Sequence, residues 1–197
     1  MRNTFILPMA LLVAAFASTA FAETKPPVGS MIKDLKFKDI RSLSRSLTDL
    51  GKKRAYVFVF TTTQCPLVRK SMPKLIELEA KFAQREVQFV AVNVGPDETI
   101  RDTAAFALEF ELPFIVVKDQ DHSCVKALGV ERTPEVVVLD GEKRIVYRGR
   151  IDDQFRLGGT RPEPSRRDLD EALTELLDGR PITLAETTVD GCKITPP

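Results

Sequence analysis

The chain predicts an α/β fold, a central mixed β-sheet with helices on both faces. Three observations predict it. Residues 54–60 are a near-continuous apolar run of strand formers, as a buried parallel strand requires. After it, strand-like and helix-like segments alternate as far as about residue 128. A hairpin pattern and one last helix then close the order.

Each element has its own reason. Residues 23–33 read as an irregular entry, and 34–51 as a short hairpin and turn with apolar points at Leu35, Phe37, Ile40, Leu43, Leu47 and Leu50. From Cys65 to about Gln84, Val68, Met72, Leu75, Leu78 and Phe82 recur at threes and fours, an amphipathic helix that Pro73 should kink. Val87–Val94 is the next strand, followed by a helix near 98–109, a strand at 113–117 and a short helix at 123–128. Strands at 135–140 and 144–151 flank the turn Asp140-Gly141-Glu142-Lys143. Ser165 and Asp168 form a capping-box pair at the start of the last helix, which Gly179 and Pro181 stop. Residues 180–197 show no periodicity and read as a flexible polar tail carrying Cys192.

Length and composition bound the function. The 197 residues suit one domain, expected at 23–179, with a tail at 180–197. Residues 1–22 read as a secretory signal: Arg2, an apolar run from Phe5 to Phe16, and the cleavage pattern Ala20-Phe21-Ala22. The expected location is therefore exported, in the periplasm, with no stable membrane span after cleavage; an uncleaved anchor is the alternative. Removing that segment deletes one base and no acid, leaving 28 basic and 28 acidic residues, so no charge excess points to nucleic acid or anionic lipid. Three cysteines allow at most one internal disulfide, so this is no disulfide-stapled scaffold. No cofactor is expected, since there is no Gly-rich phosphate loop and no Ser/His/Asp set. A lone histidine, His122, excludes a multi-histidine metal site, and its default place is the surface.

Chemistry concentrates at Cys65. A thiol at a helix start meets unpaired N–H groups and the positive end of the helix dipole, which favour the nucleophilic thiolate. Pro66 fits the first helical turn, where its missing N–H is harmless. Pro73 lies eight residues on, and Thr133-Pro134 precedes a second apolar strand.

This layout resembles the thioredoxin-like fold, in which a cis-proline, here Pro134, faces the reactive sulfur. The 69-residue separation of Cys65 from Pro134 leaves room for one extra strand and helix, as in the redoxin branch. Cys65-Pro-Leu-Val68, Tyr147-Arg-Gly-Arg-Ile-Asp-Asp153 and Gly191-Cys192-Lys-Ile194 look most like its peroxiredoxin-like subgroup. The departures are specific. Val68 replaces the second cysteine of Cys-x-x-Cys, and Val59 stands where thioredoxins bury an acid. Against the peroxiredoxin pattern Thr62 matches, but Phe58 replaces its proline. The peroxide-binding arginine falls at Pro134, leaving Arg132 and Arg150 as substitutes.

The expectation is an exported thiol oxidoreductase. Cys65 attacks a peroxide or a disulfide-containing protein substrate, Thr62 donates a hydrogen bond, and Pro66, Thr133 and Pro134 line the substrate groove. An external thiol reductant restores the enzyme. Cys192 is the candidate resolving thiol, because the twelve residues after Gly179 can span roughly 40 Å. A structural Cys124–Cys192 bridge and a free terminal thiol are its alternatives. Cys124, between His122 and Leu128, reads as buried and unreactive. Arg148 and Arg150, with Asp152 and Asp153 beyond, read as a local ion-pair cluster, the alternative being that they help position a polar substrate. Other readings are an inert Cys65, a peptide-binding module using the same groove, and a copper carrier.

Overall fold

A computed structural model describes residues 25–195; the signal-peptide expectation lies outside the described residues. The entry segment leads to the hairpin of β1 (Lys36–Asp39) and β2 (Ser44–Ser46). Asp39 closes it, its carboxylate accepting from the backbone N–H of Arg41 at 2.9 Å and of Leu43 at 3.0 Å. Next come β3 (Ala55–Thr61), α1 (Pro66–Phe82), β4 (Val87–Asn93), α2 (Ile100–Glu109), β5 (Ile115–Lys118) and α3 (Ser123–Leu128). The short β6 (Arg132–Thr133) precedes β7 (Glu135–Asp140) and β8 (Ile145–Gly149). A small hairpin, β9 (Phe155–Arg156) and β10 (Gly159–Thr160), then α4 (Asp168–Leu177) and β11 (Cys192–Lys193) complete the order.

The main sheet runs β2-β1-β5-β4-β3-β7-β8. Its centre, β5-β4-β3, is parallel, and the outer pairings are antiparallel, so the sheet is mixed as expected. Alternation along β3 builds two cores. Val57 and Val59 face Leu75 and Phe82 of α1, Phe106 of α2 and Leu173 of α4. Phe58 and Phe60 point the other way, packing with Leu128 of α3, Leu35 and Ile145. Both faces of β3 are buried, which is why its sequence is apolar throughout.

Most element boundaries fall within two residues of the sequence expectation, and α1 continues unbroken through Pro73. Three readings are corrected. The last helix begins at Asp168, not Ser165, and among the described residues the side chain of its N-cap, Arg167, makes no capping hydrogen bond. The Ser165 N–H instead donates to Asp153 at 2.7 Å, and Asp168 is held by Arg150 and Arg166 at 2.7 and 2.9 Å. Charged partners from elsewhere in the fold outcompete the local capping box. His122 is buried rather than exposed, with Nε2 2.9 Å from the Val94 carbonyl oxygen.

The third correction concerns the tail, which is docked. Arg148 and the tail exchange backbone hydrogen bonds, its N–H donating to Ala185 at 2.9 Å and its carbonyl accepting from Thr187 at 3.0 Å. The Thr187 hydroxyl accepts from the Arg150 N–H at 2.9 Å. Gly149 has φ +153, and any Cβ there would strike the Thr187 hydroxyl. The buried Arg148 guanidinium donates to the Pro26 carbonyl at 2.7 Å and lies 3.6 Å from Glu186, joining entry segment and tail.

Candidate active site

Cys65 is the N-cap of α1, in extended backbone immediately after the β3–α1 loop. The strand delivers it to the carboxyl end of the parallel sheet, and seventeen helical residues follow it. Pro66 occupies the first helical position, as expected. Opposite, Thr133–Pro134 is a cis peptide bond. The Cys65 sulfur lies 3.4 Å from the Thr133 carbonyl oxygen, so helix start and cis-proline segment meet at this atom.

Cys65 is bonded to Cys192, with Cα atoms 6.2 Å apart and a sequence separation of 127. The tail reaches it as a strand. β11 pairs antiparallel with β6, Cys192 opposite Thr133 and Lys193 opposite Arg132. The Ile194 N–H donates to the Glu131 carbonyl at 2.9 Å. Gly191 is buried, and a Cβ on it would collide with the Thr133 carbonyl oxygen. Cys65 is only 2 % exposed beneath this strand, whereas Cys192 is half-buried.

The other expected residues divide. Thr133 and Pro134 lie at the bond, and among the described residues the buried Thr133 hydroxyl has no hydrogen-bond partner. Arg132 binds the tail, donating to the Gly191 carbonyl at 2.9 Å. Arg150 joins Pro134, Leu67, Ser71 and Phe155 in a small cleft beside the cis bond, its guanidinium held by Asp168. Arg148 and Arg150 form ion pairs, but with Glu186 and Asp168 from distant segments rather than in a local cluster with Asp152 and Asp153. Thr62 is half-buried in the loop, and among the described residues no hydrogen bond joins its hydroxyl to Cys65. Cys124 is free and fully buried in α3, and burial with nearby Asp119 pushes its thiol far up.

Sequence reasoning missed the support of the loop before Cys65. The Thr63 N–H donates to both oxygens of Glu98, at 2.8 and 3.0 Å. Glu98 also accepts from Asn93, whose Oδ1 accepts from the buried Lys118 ammonium at 2.8 Å. Burial lowers the Lys118 pKa, against the opposing pull of Glu98. A lysine at the end of an apolar strand was the one available signal.

A thiol at a helix start, facing a cis-proline at one end of a mixed sheet, defines a thioredoxin-like protein. The Redoxin family model matches residues 27–161, and the chain belongs to that family. It is 30% identical over 150 residues to thiol-disulfide oxidoreductase ResA of Geobacillus thermodenitrificans, a match covering 74% of this chain and 83% of that one. A hypothetical protein from Sinorhizobium meliloti 1021 has a similar solved structure: TM-score 0.78, 26% identity, 87% of this chain and 95% of that one. An uncharacterized conserved protein from Geobacillus kaustophilus gives 0.75 at 26% identity, over 86% and 92% of the two chains. The chain is a thiol-dependent oxidoreductase.

Proposed function

We propose that this protein is an exported thiol–disulfide oxidoreductase cycling between the Cys65–Cys192 disulfide and the dithiol. The observation that carries the reading is the bond between the helix-start cysteine and a tail strand lying on the cis-proline segment. In the reduced state Cys65 is the nucleophile, because the free N–H groups at the start of α1 favour its thiolate. The thiolate attacks one sulfur of a partner disulfide, breaking the S–S bond and expelling a partner thiolate. Cys192, as thiolate, then attacks the Cys65 sulfur and releases the second partner thiol. Two electrons pass from the protein to the substrate, and the tail strand closes over Cys65.

An external thiol reductant restores the dithiol. Its thiolate attacks the disulfide at Cys192, the more exposed sulfur, and Cys65 leaves as the thiolate that its helix stabilises. A second reductant thiol then frees Cys192. Pro66, Thr133 and Pro134 line the groove in this reading, and the Thr62 hydroxyl stands on the loop beside it. Disulfide exchange is favoured over peroxide reduction because Arg150 is engaged by Asp168 and Arg132 by the Gly191 carbonyl. Each guanidinium is held by a structural contact, and among the described residues neither hydrogen-bonds Cys65. The ResA relative supports the same choice. Export rests on the pattern of residues 1–22.

The test mixes the fully reduced protein with equal amounts of a cystine-bridged peptide or of hydrogen peroxide, and follows closure of Cys65–Cys192 by quenched alkylation. Faster closure with the peptide is expected. Closure with peroxide alone would assign the protein to peroxide reduction, and closure with neither would remove the activity. The mass of the protein from periplasmic extract, expected to begin near Glu23, tests export.

A further inference from the structure

The tail strand also describes the segment it displaces. β6 is a short edge, and its neighbour is the chain's own β11. Three contacts set what fits there. Gly191 packs so closely on the Thr133 carbonyl that a side chain cannot be accommodated; the obstructing atom is backbone, next to Pro134, and cannot swing away. The next residue, Cys192, delivers its sulfur to Cys65. Lys193 is exposed and unselected, while Ile194 turns back onto the core under β6 and donates its N–H to Glu131 at 2.9 Å. The Arg132 guanidinium reads only a backbone carbonyl, that of Gly191.

Building on the disulfide-exchange reading, we propose that the site selects, for the extended partner segment it takes at β6, the pattern Gly-Cys-x-aliphatic that the tail strand presents. Such a segment adds to β6 antiparallel, as β11 does, with glycine against the Thr133 carbonyl and the aliphatic residue two places beyond its cysteine. Strand addition supplies the affinity through the main chain, and these two positions supply the selection. A partner cysteine preceded by a residue with a side chain must either slip register or push the Thr133–Pro134 segment away.

The probe is a synthetic peptide Thr-Val-Asp-Gly-Cys-Lys-Ile-Thr with its cysteine joined to thionitrobenzoate. It is offered to the full-length Cys192→Ser protein in reduced form. Cys65 attacks the peptide sulfur, the peptide–Cys65 disulfide forms, and thionitrobenzoate leaves as a coloured thiolate. Replacing the peptide glycine by alanine should slow release by a factor of about ten to a hundred, the overpacking cost converted to a rate. Replacing its isoleucine by glutamate should also slow it, by a smaller factor. Equal rates for all three peptides would overturn the selection and leave the exchange reading intact. If Cys65 fails to react even with free dithiobis(nitrobenzoate), the exchange reading itself fails. In the otherwise natural chain, Gly191→Ala should slow closure of Cys65–Cys192 by a similar factor, and unchanged closure would count against the steric argument. The peptide arm stands whether or not that variant folds.

Discussion

Two thiols in this chain sit at the start of helices and have opposite fates. Cys65 opens a seventeen-residue helix at the carboxyl end of the parallel strands, and its sulfur reaches a second cysteine beside the cis-proline. Cys124 lies in the first turn of a six-residue helix on the other face of the sheet, fully buried, its backbone N–H given to Asp119 at 3.1 Å. Burial and the neighbouring carboxylate both disfavour its thiolate. A helix start alone therefore does not make a reactive cysteine. Approach by a partner sulfur decides it, and at Cys124 burial and the Asp119 carboxylate oppose the thiolate.

Substituting each thiol breaks the comparison most sharply. Cys65→Ser should reduce exchange with a cystine peptide to the uncatalysed rate, whereas Cys124→Ala should keep it within about twofold, because Cys124 touches no reacting atom. A comparable loss in both would erase the distinction. Next in size, Cys192→Ser should complete the first attack and stop, yielding one partner thiol per chain and a stable mixed disulfide on Cys65. Full turnover by that variant would make the tail a bystander.

Stability separates the two sites as well. A bond joining residues 127 apart restricts the denatured chain by about 4–5 kcal/mol. Reduction should thus lower Tm by roughly 10–15 °C, on the usual scaling for a domain of this size. Cys124→Ala should cost about 1–2 kcal/mol through lost packing and the small cavity left. Calorimetry of oxidised, reduced and variant protein checks both. The smallest effect lies in the β1–β2 hairpin. Burial raises the Asp39 pKa, but the N–H groups of Leu43 and Arg41 and the Arg45 and Arg41 side chains outweigh it, pulling it down to about 2. A depressed carboxylate stabilises the fold above its unfolded pKa near 4 and loses that contribution as pH falls toward 2. Asp39→Asn should flatten this part of the acid-unfolding curve and leave exchange at neutral pH unchanged.

How much was legible follows from the range of the forces involved. The strand at 55–61 and the helix after Cys65 are written in local periodicity, and Thr133-Pro134 before a Val-rich strand carried the site's second half. Ser165 and Asp168 misled, because their capping spacing is local while Asp153, which takes the Ser165 N–H, and Arg150, which holds Asp168, are placed by tertiary structure. His122 and Lys118 were hard to place for the same reason: burial of a polar side chain depends on partners, Val94 and Asn93, that only the sheet supplies. The tail was the largest gap. Its docking depends on Thr187 meeting Gly149 and Gly191 meeting Thr133, contacts between distant segments whose residues are individually unremarkable. Chain length showed that Cys192 could reach Cys65; only the strand pairing of β11 with β6 aims it there.

The most direct measurement is a non-reducing peptide map of the protein oxidised from its fully reduced state, with free thiols alkylated before digestion. The account predicts a single cross-linked species joining the Cys65 and Cys192 peptides, with Cys124 labelled only after unfolding. A cross-link containing Cys124, or Cys192 recovered alkylated while exchange proceeds, would contradict it.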